Sequence, residues 1–419
     1  MFYEKSTLSN GLDILSEHIP GVRSVTLGVW FRVGSRDEDS HQMGLSHFME
    51  HMMFKGTDTR SALDISMAFD GMGAVLNAFT SKEYTCYYAS VLDEHLDKAV
   101  EILADMLQNS QFSSEAILTE REVVIEEIAR YEDEPSDHVG DIFTEAMYPT
   151  HQLGRSILGP REIVGAFQHG DCAAYLDKHY HAGNAVLAAA GNVNHETLVE
   201  LAEKFLATLP NGTANSRGEV IEPDRKLFTF EQKDTEQAHL LYGMPGIPLG
   251  DEDRFAGRLM ETALGGPMSS RLFQEVREKR GLVYAVYAAT SPYMNASQFF
   301  IYAGTRSSNL KEVVSVLRNE INLLLDKGIT ADELVRVQEY LVGHLVLSAE
   351  STRDHMLKLG GNAVQELELL SLDENIQKYR SVTLDDVNRV AKRVLSADPT
   401  IAVISPLGKD ELDAVLSES

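Results

Sequence analysis

Asp37-Glu38-Asp39 in the first half of the chain and Asp251-Glu252-Asp253 in the second are the same triplet, 214 residues apart. Other features recur at nearly the same offset. The strand-like run Val25 to Phe31 has a less exact counterpart in Ala238 to Met244, and Tyr84 to Val91 has one in Ser297 to Thr305. Near the end of each half a helix opening at an Asp leads, 14 residues on, into an apolar run: Asp171 to Ala185-Val-Leu-Ala, and Asp386 to Thr400-Ile-Ala-Val. Separate pairings that agree on one period mark a repeated structural unit, so two similarly built halves are expected. Strand patterns alternate with long helical ones, as where Val25 to Val33 is followed by a helix from about Gln42 to Phe54, which places the chain in the α+β class. Between the halves, Pro210-Asn-Gly-Thr-Ala-Asn-Ser-Arg-Gly is rich in turn-forming and polar residues. The expected organisation is therefore a domain over 1–210, a linker over 211–222 and a second domain over 223–419. Two copies of one architecture commonly face each other across a cleft that binds ligands, and they need not be equally functional.

Composition agrees with this division. The 419 residues, 43% hydrophobic and 24% charged, are too many for one ordinary core and suffice for two. The excess of 64 acidic over 37 basic residues gives a net charge of -27, which disfavours nucleic acid and anionic membrane surfaces and attracts cationic ligands. Solubility explains the same acidity equally well. Cys86 and Cys172 are the only cysteines, too few for a disulfide framework or a thiolate metal cluster, so a reducing compartment is expected. The amino terminus lacks a basic and then apolar leader, and no later run approaches ~20 apolar residues. A cytoplasmic protein with no membrane partner is the expectation.

The chemistry centres on Gly44-Leu-Ser-His-Phe-Met-Glu-His-Met-Met-Phe-Lys-Gly, good helix formers that end at Gly56. His47 and His51 stand at i and i+4, one above the other, so both imidazoles can reach one cation. Glu50 projects from the same side, placed to touch a water beside that cation. Two neutral nitrogens suit zinc, and a catalytic zinc usually takes three protein ligands, so a third must come from elsewhere. The corresponding window of the second half, about Met260 to Gly266, has no histidine.

A second helix, Ser113 to Tyr131, opens with a serine cap and stops before Pro135. Its apolar stripe is centred on Ile117, Val124 and Ile128, with Ile125 and Leu118 on one flank and Tyr131 on the other. Glu122 and Glu126 fall opposite, toward water. Glu120 and Glu127, two turns apart, point along the edge of the stripe, where an ionised carboxylate is costly without a charged partner or a metal. Either one completes the site by this reasoning, and an inward salt bridge to Arg or Lys is the alternative.

These residues resemble the pitrilysin or insulinase-like zinc peptidases, the inverzincins, whose H-x-x-E-H motif stands here as His47-Phe-Met-Glu50-His51. The resemblance extends over most of the chain. It is closest to a subgroup of short chains that includes the catalytic subunit of the mitochondrial processing peptidase and its bacterial relatives. It implies two homologous αβ domains, each a mainly antiparallel sheet covered by helices. It makes Glu127, 76 residues beyond His51, the third ligand of one zinc ion per chain, and gives Glu120 a supporting catalytic role. It also implies that Asn77 and Ala78, in Gly71 to Thr85, lie on an edge strand that contacts the substrate backbone. An exposed strand edge can add an extended peptide through main-chain hydrogen bonds, while the plainer reading has Asn77 capping a turn or pairing across the sheet. In the second half the resemblance sends Arg277 and Tyr284 to the reaction centre and makes a homodimer the expected assembly. Non-catalytic relatives often carry a long glycine-rich loop, whereas Gly265-Gly-Pro-Met-Ser-Ser is short.

The expected activity is that of a zinc metalloendopeptidase hydrolysing short or unfolded peptides, including basic or targeting-type ones, with Glu50 as the proton carrier. A peptide-binding or partner subunit that does not cut, and a zinc hydrolase of other amides or esters, are the competing readings.

Overall fold

The computed structural model describes residues 2–218 and 224–417, so residues 219–222 of the expected linker lie outside the described residues. The chain divides into two compact units, neither of which is a contiguous half. The first takes Met1–Ala129, Arg155–Gly218 and Leu347–Ser371, and the second takes Arg130–Gly154, Glu219–Val346 and Leu372–Ser419. Two segments thus change places relative to sequence order: 130–154 belongs with the second unit and 347–371 with the first.

The first unit is built on β1 (Glu4–Thr7), β2 (Asp13–His18), β3 (Ser24–Phe31), β4 (Val75–Thr80), β5 (Thr85–Leu92) and β6 (Ala185–Gly191), in the order β1-β2-β6-β3-β5-β4. The second unit has β7 (Phe228–Gln232), β8 (Ala238–Pro245), β9 (Val283–Pro292), β10 (Ser297–Thr305) and β11 (Thr400–Ser405), in the order β7-β11-β8-β10-β9. Without β1 the two orders coincide, and in each sheet one pair alone is parallel, β2 with β6 and β7 with β11. The recurring triplet, strands and helix-to-strand runs therefore reflect a duplicated, mainly antiparallel sheet.

Each sheet is covered on both faces, which is why its central strands read as continuous apolar runs. Along β3, Val25, Leu27, Val29 and Phe31 join the larger core, beneath the helices Leu45–Met52 and Leu96–Asn109. The alternate residues meet the helix Thr352–Val364. Thr26 hydrogen-bonds Thr352, Met356 lies over Gly28, and Trp30 packs with Met356, Leu359 and Val364. In the second unit the helix Pro135–Met147 takes the equivalent place, its Phe143 lying over Gly243 of β8. Both covering helices come from the displaced segments.

The described part of the expected linker is not a free tether. Asn215 donates its backbone amide to the Asn184 side-chain oxygen and its own side-chain amide to the Arg32 carbonyl, and Arg217 pairs with Asp37 at 2.6 Å. Asn215 and Arg217 are thus engaged with the first unit, while Asn211, Thr213 and Ser216 are exposed. Among the described residues no helix is long and apolar enough to cross a membrane.

Two expectations follow. A Cβ at Gly360 would sit 2.1 Å from Nε1 of the buried Trp30, the single tryptophan of the chain. Gly360→Ala should therefore destabilise the first unit by about 1–3 kcal/mol, read as an earlier transition in tryptophan fluorescence. On the same helix His355 Nδ1 lies 2.9 Å from Glu17, and that hydrogen bond holds the imidazole pKa above its ordinary 6.5. A raised folded pKa makes the stabilisation complete below the unfolded value and erases it as the pH rises through the folded one. His355→Gln should thus lower the unfolding midpoint more near pH ~6 than near pH ~9.

Candidate metal centre

The helix Leu45–Met52 is seated before it presents any chemistry. Its first turn is capped from outside: the buried Glu38 carboxylate accepts the Gly44 amide at 2.9 Å and the Ser46 amide at 2.7 Å. A carboxylate suits the positive end of a helix, although burial pushes the Glu38 pKa up to about 7. Gly44 has φ 91°, and a Cβ there would lie 2.4 Å from the Leu158 carbonyl oxygen, so glycine is required by both backbone and space. Ser46 meets the Tyr175 hydroxyl at 2.7 Å, while Phe48, Met49 and Met52 enter the core.

On this helix His47 and His51 stack edge to face, their ring centroids 4.7 Å apart. His47 Nε2 lies 3.7 Å and His51 Nε2 3.6 Å from one oxygen, Oε2 of Glu127. Ligands bound at about 2.05 Å around a tetrahedral zinc are about 3.4 Å apart, so the three atoms fit one ion with small adjustment. Burial holds the His47 pKa down to about 4, with the neighbouring His51 adding to the effect. His47 is then a neutral lone-pair donor at neutral pH, as metal ligation requires.

The two carboxylates left unranked by the helical pattern take different partners. Both lie on the helix Ser114–Asp133, whose Ser113 hydroxyl accepts the Ala116 amide. Glu127 faces the imidazoles. Glu120 is buried and receives His51 Nδ1 at 3.1 Å and Lys55 Nζ at 2.6 Å. The inward salt bridge thus falls to Glu120, while Glu127 is the carboxylate that stands beside both imidazoles. The bond from His51 to a carboxylate is the outer support that metal-binding histidines commonly have. Glu122 and Glu126 are exposed as expected, but Leu118, placed on the apolar flank, is 59% exposed. The buried stripe is narrower than the pattern implied and runs through Ile117, Glu120, Val124 and Ile128.

Glu50 is held by the Thr80 hydroxyl, which donates to its Oε2 at 2.7 Å, and burial raises its pKa from the ordinary carboxylate value. Thr80 ends β4, the terminal strand of the first sheet, which also carries Asn77 and Ala78. Asn77 pairs with Tyr88 of β5 and folds its Oδ1 back onto the Ala78 amide at 2.8 Å. Arg277 and Tyr284 come together within the second unit, the guanidinium carbon 5.4 Å from the phenol centroid, with Tyr284 77% exposed. Glu38, Lys55 and Thr80 were not singled out in the sequence. Lys55 carried a signal, being a cation four residues beyond His51 and within reach of a carboxylate that required one.

Among the described residues, His47, His51 and Glu127 form the sole group of three or more histidine, cysteine or acidic side chains with convergent ligand atoms. Fold and site together define a duplicated α+β protein with a metal-ligand cluster in one copy. The family model described as Insulinase (Peptidase family M16) matches residues 13–161, and that described as Peptidase M16 inactive domain matches residues 166–341. An uncharacterized zinc protease of Streptomyces coelicolor is 43% identical over 96% of this chain and 89% of its own length. One of Bacillus subtilis is 40% identical over 97% and 98%. The chain belongs to the insulinase family, peptidase family M16. A solved structure of a peptidase M16 inactive domain from Pseudomonas fluorescens shares the fold at a TM-score of 0.91 and 22% identity, covering 97% of this chain and 99% of that one. A protease from Helicobacter pylori does so at 0.88 and 24%, covering 96% and 99%.

By this geometry Glu127→Gln should weaken zinc binding by more than about 100-fold in equilibrium dialysis, while Glu122→Gln, on the solvent side, leaves it unchanged.

Proposed function

We propose that the chain is a zinc metalloendopeptidase, with one ion held by His47, His51 and Glu127. The observation that carries the reading is the convergence of two imidazole Nε2 atoms on Glu127 Oε2 at 3.6 and 3.7 Å. When bound, zinc supplies a Lewis acid that makes water a nucleophile near neutral pH and polarises a carbonyl. The chain's own residues supply the rest. Glu50 is the proton carrier: with Oε2 engaged by Thr80, Oε1 takes the proton of the attacking water and returns it to the leaving amine. Its burial favours a base whose pKa lies nearer the working pH than that of an exposed carboxylate. Glu120 holds His51 through Nδ1, which leaves Nε2 directed at Glu127.

The substrates proposed are short or unfolded peptides, because addition to a sheet edge requires an extended segment. β4 is the edge, and the Ala78 amide, now satisfied by Asn77, is the donor that a peptide carbonyl would take over. A net charge of -27 favours basic or targeting-type sequences, as does the likeness to the processing peptidase subgroup. The same likeness supports a homodimer and a catalytic part for Arg277 and Tyr284. Two buried free thiols, Cys86 and Cys172, support a reducing cytoplasmic location.

The test is digestion of an unbiased peptide library by the full chain. The parent should cleave internal bonds and lose the activity to a chelator. Glu50→Gln should keep its zinc and lose turnover by about 10²–10⁴-fold. A zinc-loaded Glu50→Gln chain with parental turnover would remove Glu50 from the reaction, and a parent that binds peptides without cutting them would make the chain a binding subunit.

A further inference from the structure

The support for the metal ligands continues beyond Glu120, and resting on the metal reading above, we infer that Lys55 is a positioning residue of the centre. Its ammonium fixes the Glu120 carboxylate in the one orientation that orders His51. Three links make a chain from surface to ligand: Lys55 Nζ to Glu120 Oε1 at 2.6 Å, Glu120 Oε2 to His51 Nδ1 at 3.1 Å, and His51 Nε2 to Glu127 Oε2 at 3.6 Å. Each Glu120 oxygen has a separate partner, so the plane of the carboxylate is set by both. Glu120 is only 3% exposed. A buried carboxylate oxygen stripped of its partner is costly, and the relief available to Glu120 is to rotate away from the histidine.

The pose of Lys55 is itself built. The residue follows the helix Leu45–Met52 in a tight turn in which its amide donates to the Met52 carbonyl. Gly56 comes next with φ 112° and makes a bridge to Ser61. The turn is then pinned by Asp105, which receives the Thr57 hydroxyl at 2.8 Å, the Thr59 hydroxyl at 3.1 Å and an ion pair from Arg60. Lys55 therefore leaves a fixed backbone, with its stem toward solvent and its charge at a buried acceptor. A lysine that served only solubility would have no such anchorage.

The experiment measures zinc affinity of the full chain by competition with a chromophoric chelator, alongside thermal unfolding of the metal-free chain. Lys55→Met should weaken zinc binding about 10-fold, the lower end of what outer-support changes cost, a loss larger than any fall in the metal-free unfolding midpoint accounts for. Lys55→Arg, which restores the charge, should recover most of the affinity. In a Glu120→Gln background Lys55→Met should cost nothing further, because its effect passes through that carboxylate. Parental affinity in Lys55→Met overturns the inference, as does an undiminished loss in the Glu120→Gln background. A loss of affinity matched by lost metal-free stability and unrescued by arginine also overturns it, since that is a purely structural role. A parent chain whose zinc binding is insensitive to Glu127→Gln fails earlier, at the metal reading itself, and is distinguishable on that ground.

Discussion

Two imidazole nitrogens and a carboxylate oxygen on two helices must be brought within 4.8 Å of one another with no covalent link between them, and the elements of the site meet that requirement. The i, i+4 spacing solves only half of it, by putting His47 and His51 on one face. The other half is orientation, and it is met by groups outside the cluster itself. Glu38 and Ser46 seat the start of the histidine helix, the turn through Gly56 seats its end, and Glu120 orders the second imidazole. Buried polar groups of this kind are tolerable because each has a partner, and they give precision because each has few alternatives.

The sheets follow one construction in both units. A glycine in the central strand lies under a covering helix, Gly28 beneath Met356 and Gly243 beneath Phe143, so the helix can approach the sheet closely. The exchange of 130–154 and 347–371 between the sequence halves is consistent with the same logic. A strand buried on both faces requires two covering layers, and each unit draws one layer from the distant part of the chain.

How much of this was legible in order of residues depends on the range of the interaction. The repeat, the strands at Val25, Tyr84, Ala238 and Ser297, and the histidine helix were legible because they are written in local periodicity. Glu120 and Glu127 were legible as a pair, since carboxylates beside an apolar stripe must be compensated, but their ranking was carried by resemblance. Long-range choices were not legible. Nothing in the local pattern of Pro135–Met147 assigns it to the second sheet, and the turn-rich segment after Pro210 reads as a tether although Asn215 and Arg217 bind it to the first unit. Leu118 was misplaced because a helical wheel ranks positions around an axis and cannot say how wide a stripe the neighbouring layer covers.

The second copy shows what the site costs in space. The offset of 214 carries His47 to Glu261 and His51 to Gly265, on the helix Arg254–Gly265. At Gly265 a Cβ would lie 2.4 Å from the Ala288 amide nitrogen, so β9 presses against the helix where the first copy keeps room for an imidazole. Glu261 is buried and turned to Arg258 in a local ion pair. Restoring a histidine pair to this helix would therefore take more than two substitutions: Gly265 admits no side chain until β9 withdraws, and Arg258 would lose the carboxylate that balances its charge. The asymmetry between the copies lies in backbone packing as much as in residue type.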